Sequence, residues 1–352
     1  MKYKIQELVN ILGKDRVKTN EPMSHHTTFR IGGPADAYFE AKDPAEILKA
    51  MEACKKLGIP YFVLGIGANI LVSDRGIRGL VIKPINASMS ILGPYKVPTP
   101  QTGGNSNVGA HYRQFDTQKY LKFDDLDFED PVPDTLIRVG AGATLPVLIA
   151  WSLEQGLTGL QSFAGIPASV GGAVYNNIHG GTKLFDQFIH EVVLINNEGI
   201  ITGVPHDEME FSYDVSRLQE TREVVLEVIF KLSHGDLEKA KWIREEWLKR
   251  KLKVQPQSNC PGCIFKNMTP SKAREIGSPT VSMGWVIDIG LGLKGEKVGG
   301  VSISRSHANF FVNDGTGTAQ DVLSLIGICK TKAKEKFGLD LCEEIQLVGE
   351  FQ

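Results

Sequence analysis

Long apolar runs are missing from this 352-residue chain, and none approaches the ~20 residues that a membrane-spanning helix needs. Cysteine is scarce. Five residues, an odd number and mostly scattered, exclude a disulfide framework and suit a reducing compartment. Basic excess is also missing: a formal net charge of -2 excludes a dedicated nucleic-acid binder. The opening Met1-Lys2-Tyr3-Lys4-Ile5-Gln6-Glu7 has no apolar signal core, so the expectation is a cytoplasmic protein without a membrane partner. His25 and His26 are adjacent, but no carboxylate or cysteine stands at ligand spacing, and no metal is expected. What remains is an ordinary globular composition, 42% hydrophobic and 23% charged, in a chain long enough for two or three domains.

The chain is organised around Leu64-Gly65-Ile66-Gly67-Ala68-Asn69-Ile70-Leu71-Val72-Ser73-Asp74. The apolar run 61–64 reads as a short buried strand that breaks into Gly-X-Gly-Ala-Asn. No glycine stands at position 70, so the Rossmann Gly-X-Gly-X-X-Gly pattern is not met here. Two readings fit, a tight loop between strands or a concavity of N–H groups that cradles a diphosphate. Upstream, residues 1–15 suggest an amphipathic helix and Tyr38-Phe39-Glu40-Ala41 a strand. Asp43 as N-cap with Pro44 next predicts a helix that runs to Gly58.

Residues 86–133 are rich in Pro, Gly and Asn and end in the acidic run Asp124–Asp130, which reads as a partly disordered insertion. The regular pattern resumes at Leu136–Gly142, with a helix through Leu145–Gln155 and strands near 191–195 and 223–232. Between them lies a second dense stretch, Ala164-Gly165-Ile166-Pro167-Ala168-Ser169-Val170-Gly171-Gly172-Ala173. Its small residues permit close approach to a flat ligand or simply close helix packing. A charged helix over 236–256, with interleaved glutamates, reads as a solvated linker. The C-terminal domain, 257–352, opens with Cys260-Pro261-Gly262-Cys263, either a redox pair or half a zinc site, although no second pair of zinc ligands is evident. Its closing helix is expected to start at Thr318 with Asp321 three residues on, and Cys329 falls on its buried face.

Five segments in order, His26–Ala35, Leu64–Asp74, Ala164–Asn176, Gly262–Asn267 and Val298–Asn313, resemble the UDP-N-acetylenolpyruvoylglucosamine reductase family, whose members are flavoenzymes of cell-wall precursor synthesis. The resemblance implies an α+β chain. Two subdomains, 1–85 and 134–235, would form an FAD-binding region of the PCMH or vanillyl-alcohol-oxidase type ahead of the small substrate domain. It implies non-covalent FAD, NADPH as hydride donor, a UDP-sugar substrate and a monomer, closer to the family's shorter form. Gly65, Ile66, Gly67, Ala68, Asn69 and Ile70, with Gly165, Ile166, Ser169, Gly171 and Gly172, would hold FAD. Tyr213, Lys266, Asn267, His307 and Asn309 would contact the substrate. Cys263 occupies the position of the family's proton-donating serine, and Glu344 that of its second acid. Asp214 replaces the family's arginine in Tyr213-Asp214-Val215-Ser216, which leaves Arg217 as the candidate catalytic cation. Ala68 replaces a serine. A flavoprotein with another substrate, or a flavin-binding paralogue without turnover, remains an alternative.

Overall fold

The computed structural model of the chain describes residues 2–97, 126 and 130–351. The first unit comprises helix α1 (Lys2–Leu12), strands β1 (Val17–Pro22) and β2 (Pro34–Ala41), helix α2 (Pro44–Leu57), and strands β3 (Tyr61–Val63), β4 (Ile70–Val72) and β5 (Ile77–Pro84). Helix α2 begins where the sequence places it. The Asp43 carboxylate accepts from the Glu46 N–H at 2.9 Å, a cap that contributes about 1 kcal/mol, and Gly58 closes the helix at φ 61°. The sheet runs β1-β2-β5-β3, with β2 and β3 both parallel to β5. Strand β4 stays outside it.

The second unit is a six-stranded sheet built from β6 (Met89–Pro94), β7 (Thr135–Gly140), β8 (Ile189–Ile195), β9 (Ile201–Pro205) and β10 (Val224–His234), with the pair Leu157–Thr158 on the end of β10. The order is β9-β8-β10-β7-β6. Helices α3 (Leu145–Glu154) and α4 (Val170–Tyr175) pack on it. Strand β6 moves the boundary expected at 86. Met89 pairs with Val139 and Ile91 with Ile137, so this stretch is the sheet's edge and not an insertion. Downstream, Leu126 joins the core and Lys183 meets Asp130 at 3.0 Å. The expected disorder falls on 98–129, which apart from Leu126 lies outside the described residues.

A deletion test follows from this edge. Excision that begins at Asn86 strips β6 and bares β7, and should give aggregated protein on gel filtration. Excision of 98–125 alone keeps the β6–β7 pairing and should leave the elution volume of a folded chain.

Helix α5 (Leu237–Val254) corrects a second expectation, for it is no solvated linker. Ala240, Ile243 and Trp247 are buried in the second unit's core, while Glu238, Lys241, Glu245 and Lys249 are exposed. The third unit holds a small antiparallel sheet of β11 (Lys297–Val298), β12 (Val301–Ile303) and β13 (Phe311–Asn313), followed by helix α6 (Ala319–Phe337) and strand β14 (Gln346–Val348). Thr318 and Asp321 form the expected capping box, and Val322, Ile326, Cys329 and Ala333 are buried. Three ties sew this unit back to the first. Strand β14 pairs in parallel with β4, Gln346 opposite Ile70. The Asp74 carboxylate accepts from the Ala319 and Gln320 N–H groups at 2.8 and 3.1 Å, a negative charge at the positive end of α6. Asn313 Nδ2 donates to the Phe29 carbonyl at 3.0 Å. Among the described residues, no helix is long and apolar enough to cross a membrane.

Candidate active site

One cleft of about 1990 Å³ runs between the three units, roughly twice the upper range of small-molecule sites. Its first wall is the 65–69 loop, where β3 ends. Gly67 has φ 70°, and a Cβ there would lie 2.4 Å from the His26 carbonyl oxygen. A Cβ on Gly65 would come within 2.5 Å of Ser169 Oγ. Both glycines therefore answer to protein packing, the first against the turn before Arg30 and the second against the second unit. The Gly67 carbonyl is held by the Thr28 N–H at 3.1 Å. The N–H groups of Gly65, Ile66, Gly67, Ala68 and Asn69 donate to no acceptor among the described residues, and all five residues line the cleft. A run of free backbone donors on a concave wall is an anion cradle. Gly67→Val should lose bound cofactor, because a β-branched residue resists the left-handed backbone and drives the loop off His26. The ratio of visible to protein absorbance after purification reads this directly.

The opposite wall is 165–172. Gly171 packs for its own sake: its N–H donates to the Ala141 carbonyl at 2.9 Å, and a Cβ would meet the Ala141 Cβ at 3.2 Å. Gly172 is different, since a Cβ there would touch only Ser169 Oγ. Ser169 caps α4 by accepting from the Gly172 N–H at 3.3 Å. Gly165 has φ 75°, and a Cβ there would lie 3.0 Å from the Lys251 Cδ. Lys251 donates to the Ala164 carbonyl at 2.7 Å, and burial pushes its ammonium down to about 7. Ile70, Ile166 and Ser169 all line the cleft.

The deep end gathers Cys263, Glu344, Lys266 and Asp214 from three separate parts of the chain. Glu344 is pinned from both sides. Its N–H donates to the Ile264 carbonyl at 2.8 Å, and its carbonyl accepts from Asn69 Nδ2 at 3.3 Å. Burial, and then the neighbouring Asp214 charge, push its carboxyl up to about 8 against the opposing pull of Lys266. The Cys263 thiol is raised well above its ordinary range, mainly by burial and next by Glu344. It stays protonated at neutral pH. Burial also raises Cys260, which lines the same cleft, while the Gly262 backbone opposes this. Among the described residues no cluster of metal-ligating side chains occurs.

Not every expected residue reaches this place. Arg217 is corrected: its guanidinium makes a two-pronged pair with Glu223 at 2.9 and 2.8 Å, donates to the Glu208 carbonyl, and stays off the cleft wall. Tyr213 also stands behind the wall, its ring 5.0 Å from that of His179. Asn309 lines the cleft, but its amide is committed to the fold. Oδ1 accepts from the Phe265 N–H at 3.0 Å and Nδ2 donates to the Phe265 carbonyl at 2.8 Å, which fixes the backbone two residues beyond Cys263. Asn267 Oδ1 likewise accepts from the Met283 N–H. His307 lines the cleft, and burial lowers its imidazole. Lys251 was not expected as a wall residue, and the one available signal was its place four residues after Trp247 on the buried side of α5. Asp214, expected only as the replacement for the family's arginine, lines the cleft.

A concave wall of unpaired backbone donors beside a cluster of buried acids is the arrangement of a nucleotide-cofactor enzyme. Residues 85–204 match the family described as FAD binding domain, and residues 255–348 match the one described as UDP-N-acetylenolpyruvoylglucosamine reductase, C-terminal domain. UDP-N-acetylenolpyruvoylglucosamine reductase 1 of Bacillus anthracis is 33% identical over 350 residues, 98% of this chain and 100% of that protein. The reductase of Heliobacterium modesticaldum is 34% identical over 94% of this chain and 90% of its own. The solved structure of the Thermus caldophilus reductase superposes with a TM-score of 0.68 at 28% identity, covering 93% of this chain and 97% of that one. The chain belongs to the UDP-N-acetylenolpyruvoylglucosamine reductase family.

Proposed function

We propose that the chain reduces UDP-N-acetylglucosamine enolpyruvate to UDP-N-acetylmuramate for peptidoglycan synthesis, as a cytoplasmic monomer that uses NADPH and non-covalent FAD. The observation that carries this is one cleft in which five N–H groups at 65–69, unpaired among the described residues, share the lining with Cys263 and Glu344. FAD fits the residues present. The 65–69 amides would hold its diphosphate, and the Gly165–Ile166 and Gly172 wall would back its ring. When bound, FAD supplies the hydride to the enolpyruvyl carbon after reduction by NADPH.

The chain's own residues do the rest. Negative charge develops on the carbon next to the one that receives hydride and spreads into the substrate's carboxylate. Glu344, in its acid form, donates a hydrogen bond to that carboxylate and opposes the build-up of charge. The Cys263 thiol gives its proton to the neighbouring carbon. Lys266 supplies the local positive charge.

The protein should purify yellow, release FAD on acid or heat treatment, and oxidise NADPH much faster with the enolpyruvyl substrate than without it. A yellow protein whose NADPH consumption ignores that substrate would transfer the reading to another flavoprotein activity.

A further inference from the structure

The 65–69 loop leans on the strap, residues 23–33, that joins β1 to β2. The His26 carbonyl oxygen and the Thr27 Cα stand 2.4 and 2.9 Å from where a Gly67 Cβ would be. The Gly67 carbonyl accepts from the Thr28 N–H at 3.1 Å and from Thr28 Oγ1 at 3.4 Å. Strap and loop thus meet largely backbone against backbone, with little flexible side chain between them to absorb a shift. Where the strap goes, the loop follows.

One side chain pins that strap to the first sheet. His26 Nε2 lies 2.8 Å from Glu21 Oε1 on β1. Its imidazole lies nearly flat on the Tyr38 ring of β2, with centroids 4.1 Å and planes 24° apart. Tyr38 is itself fixed, being 1% exposed, and its hydroxyl donates to Glu40 Oε1 at 3.0 Å. Burial pushes the Glu21 carboxyl up, but the His26 hydrogen bond and the Lys18 charge outweigh it and hold the carboxyl below its ordinary value. Glu21 is therefore an ionised acceptor, and His26 Nε2 carries the donated hydrogen. His26 lines the cleft, whereas Glu21 and Tyr38 do not. The proton and hydride chemistry uses none of the three.

We propose that His26 is a positioning residue for the cofactor: pinned by Glu21 and Tyr38, it sets the strap that keeps the 65–69 amides in the shape that selects a flavin bearing a diphosphate. This deepens the function proposed above and rests on its reading of that loop as the diphosphate cradle. Backbone donors select an anion only while they point into one concavity, since each alone is a modest neutral hydrogen bond. Holding them there before the ligand arrives spares the complex the cost of ordering them. Glu21, off the cleft, reaches the ligand through His26.

The test is the partition between FAD and riboflavin on the flavin-loaded, full-length protein. Riboflavin carries the same ring without phosphate. The protein is equilibrated with both and gel-filtered, and its bound flavins are counted by chromatography. His26→Ala should lower the FAD-to-riboflavin partition about tenfold, the weight of one hydrogen bond to a charged partner. Glu21→Ala should lower it as far, although it leaves the cleft wall intact, and it carries the comparison where His26→Ala does not fold. The double variant should lose no more than either single one. His26→Gln, which keeps a donor for Glu21, should recover part of the preference. A general loosening would weaken both flavins alike, and an unmoved partition overturns the proposal. So does a loss in His26→Ala that Glu21→Ala does not share, because His26 would then act on the cofactor itself. Losses that multiply in the double variant overturn it too. Gly67→Val separates this proposal from the reading beneath it. If that variant alone loses the preference, the cradle stands and the pin falls. If every variant keeps it, the diphosphate lies elsewhere and both fall.

Discussion

Cys263→Ala should slow flavin reoxidation by the enolpyruvyl substrate by on the order of 10²–10⁴-fold while leaving reduction by NADPH nearly unchanged. The thiol lines the same cleft as Glu344, and Asn309 clamps the Phe265 backbone two residues on. Removing it leaves the hydride route intact and takes away the proton. Cys263→Ser should recover part of the loss, since a hydroxyl can deliver a proton from the same backbone position. Cys260→Ser should do little. Stopped-flow separation of the two half-reactions decides the matter, and wild-type reoxidation in the alanine variant would remove Cys263 from the mechanism.

Glu344→Gln should produce the second large effect, with an opposite sign in stability and in rate. The folded carboxyl sits at about 8, against an unfolded value of about 4.3. The folded protein therefore holds a proton that the unfolded chain releases. Its stability is fullest below the unfolded value, falls as pH rises toward 8, and levels off beyond. The decline attached to this one group is on the order of a few kcal/mol. Glutamine has no proton to lose, so denaturant midpoints of the variant should stay flatter across that window and exceed wild type at its alkaline end. Reoxidation should fall on the order of 10²-fold, and its decline above pH 8 should vanish. A variant with the same alkaline decline as wild type would place that titration on another group.

What could be read from the sequence was what a few neighbours settle among themselves. Asp43 with Pro44, the Thr318–Asp321 capping box and the buried face through Cys329 all depend on residues within one or two helical turns. The glycine loop was legible as a turn at the end of β3, but the reason for Gly67 was not. Its Cβ is forbidden by His26, a residue 41 positions upstream and on a different turn. Arg217 misled because charge alone says nothing of who claims it, and Glu223 takes it six residues on. Strand β6 was hidden by its edge position. With little burial, Met89–Pro94 shows no apolar alternation, and only its pairing with β7 reveals it.

The pairing of β4 with β14 has one more consequence, for the order in which the protein becomes functional as it is made. The 65–69 loop is synthesised early, yet the β4 strand that follows it waits for Gln346–Val348, and Asn69 meets Glu344 across 275 positions of chain. A nascent chain still short of those residues has a loop without its floor. Cofactor loading is thereby expected to follow the synthesis of Gln346–Val348, and molecules that lack this strand should be colourless.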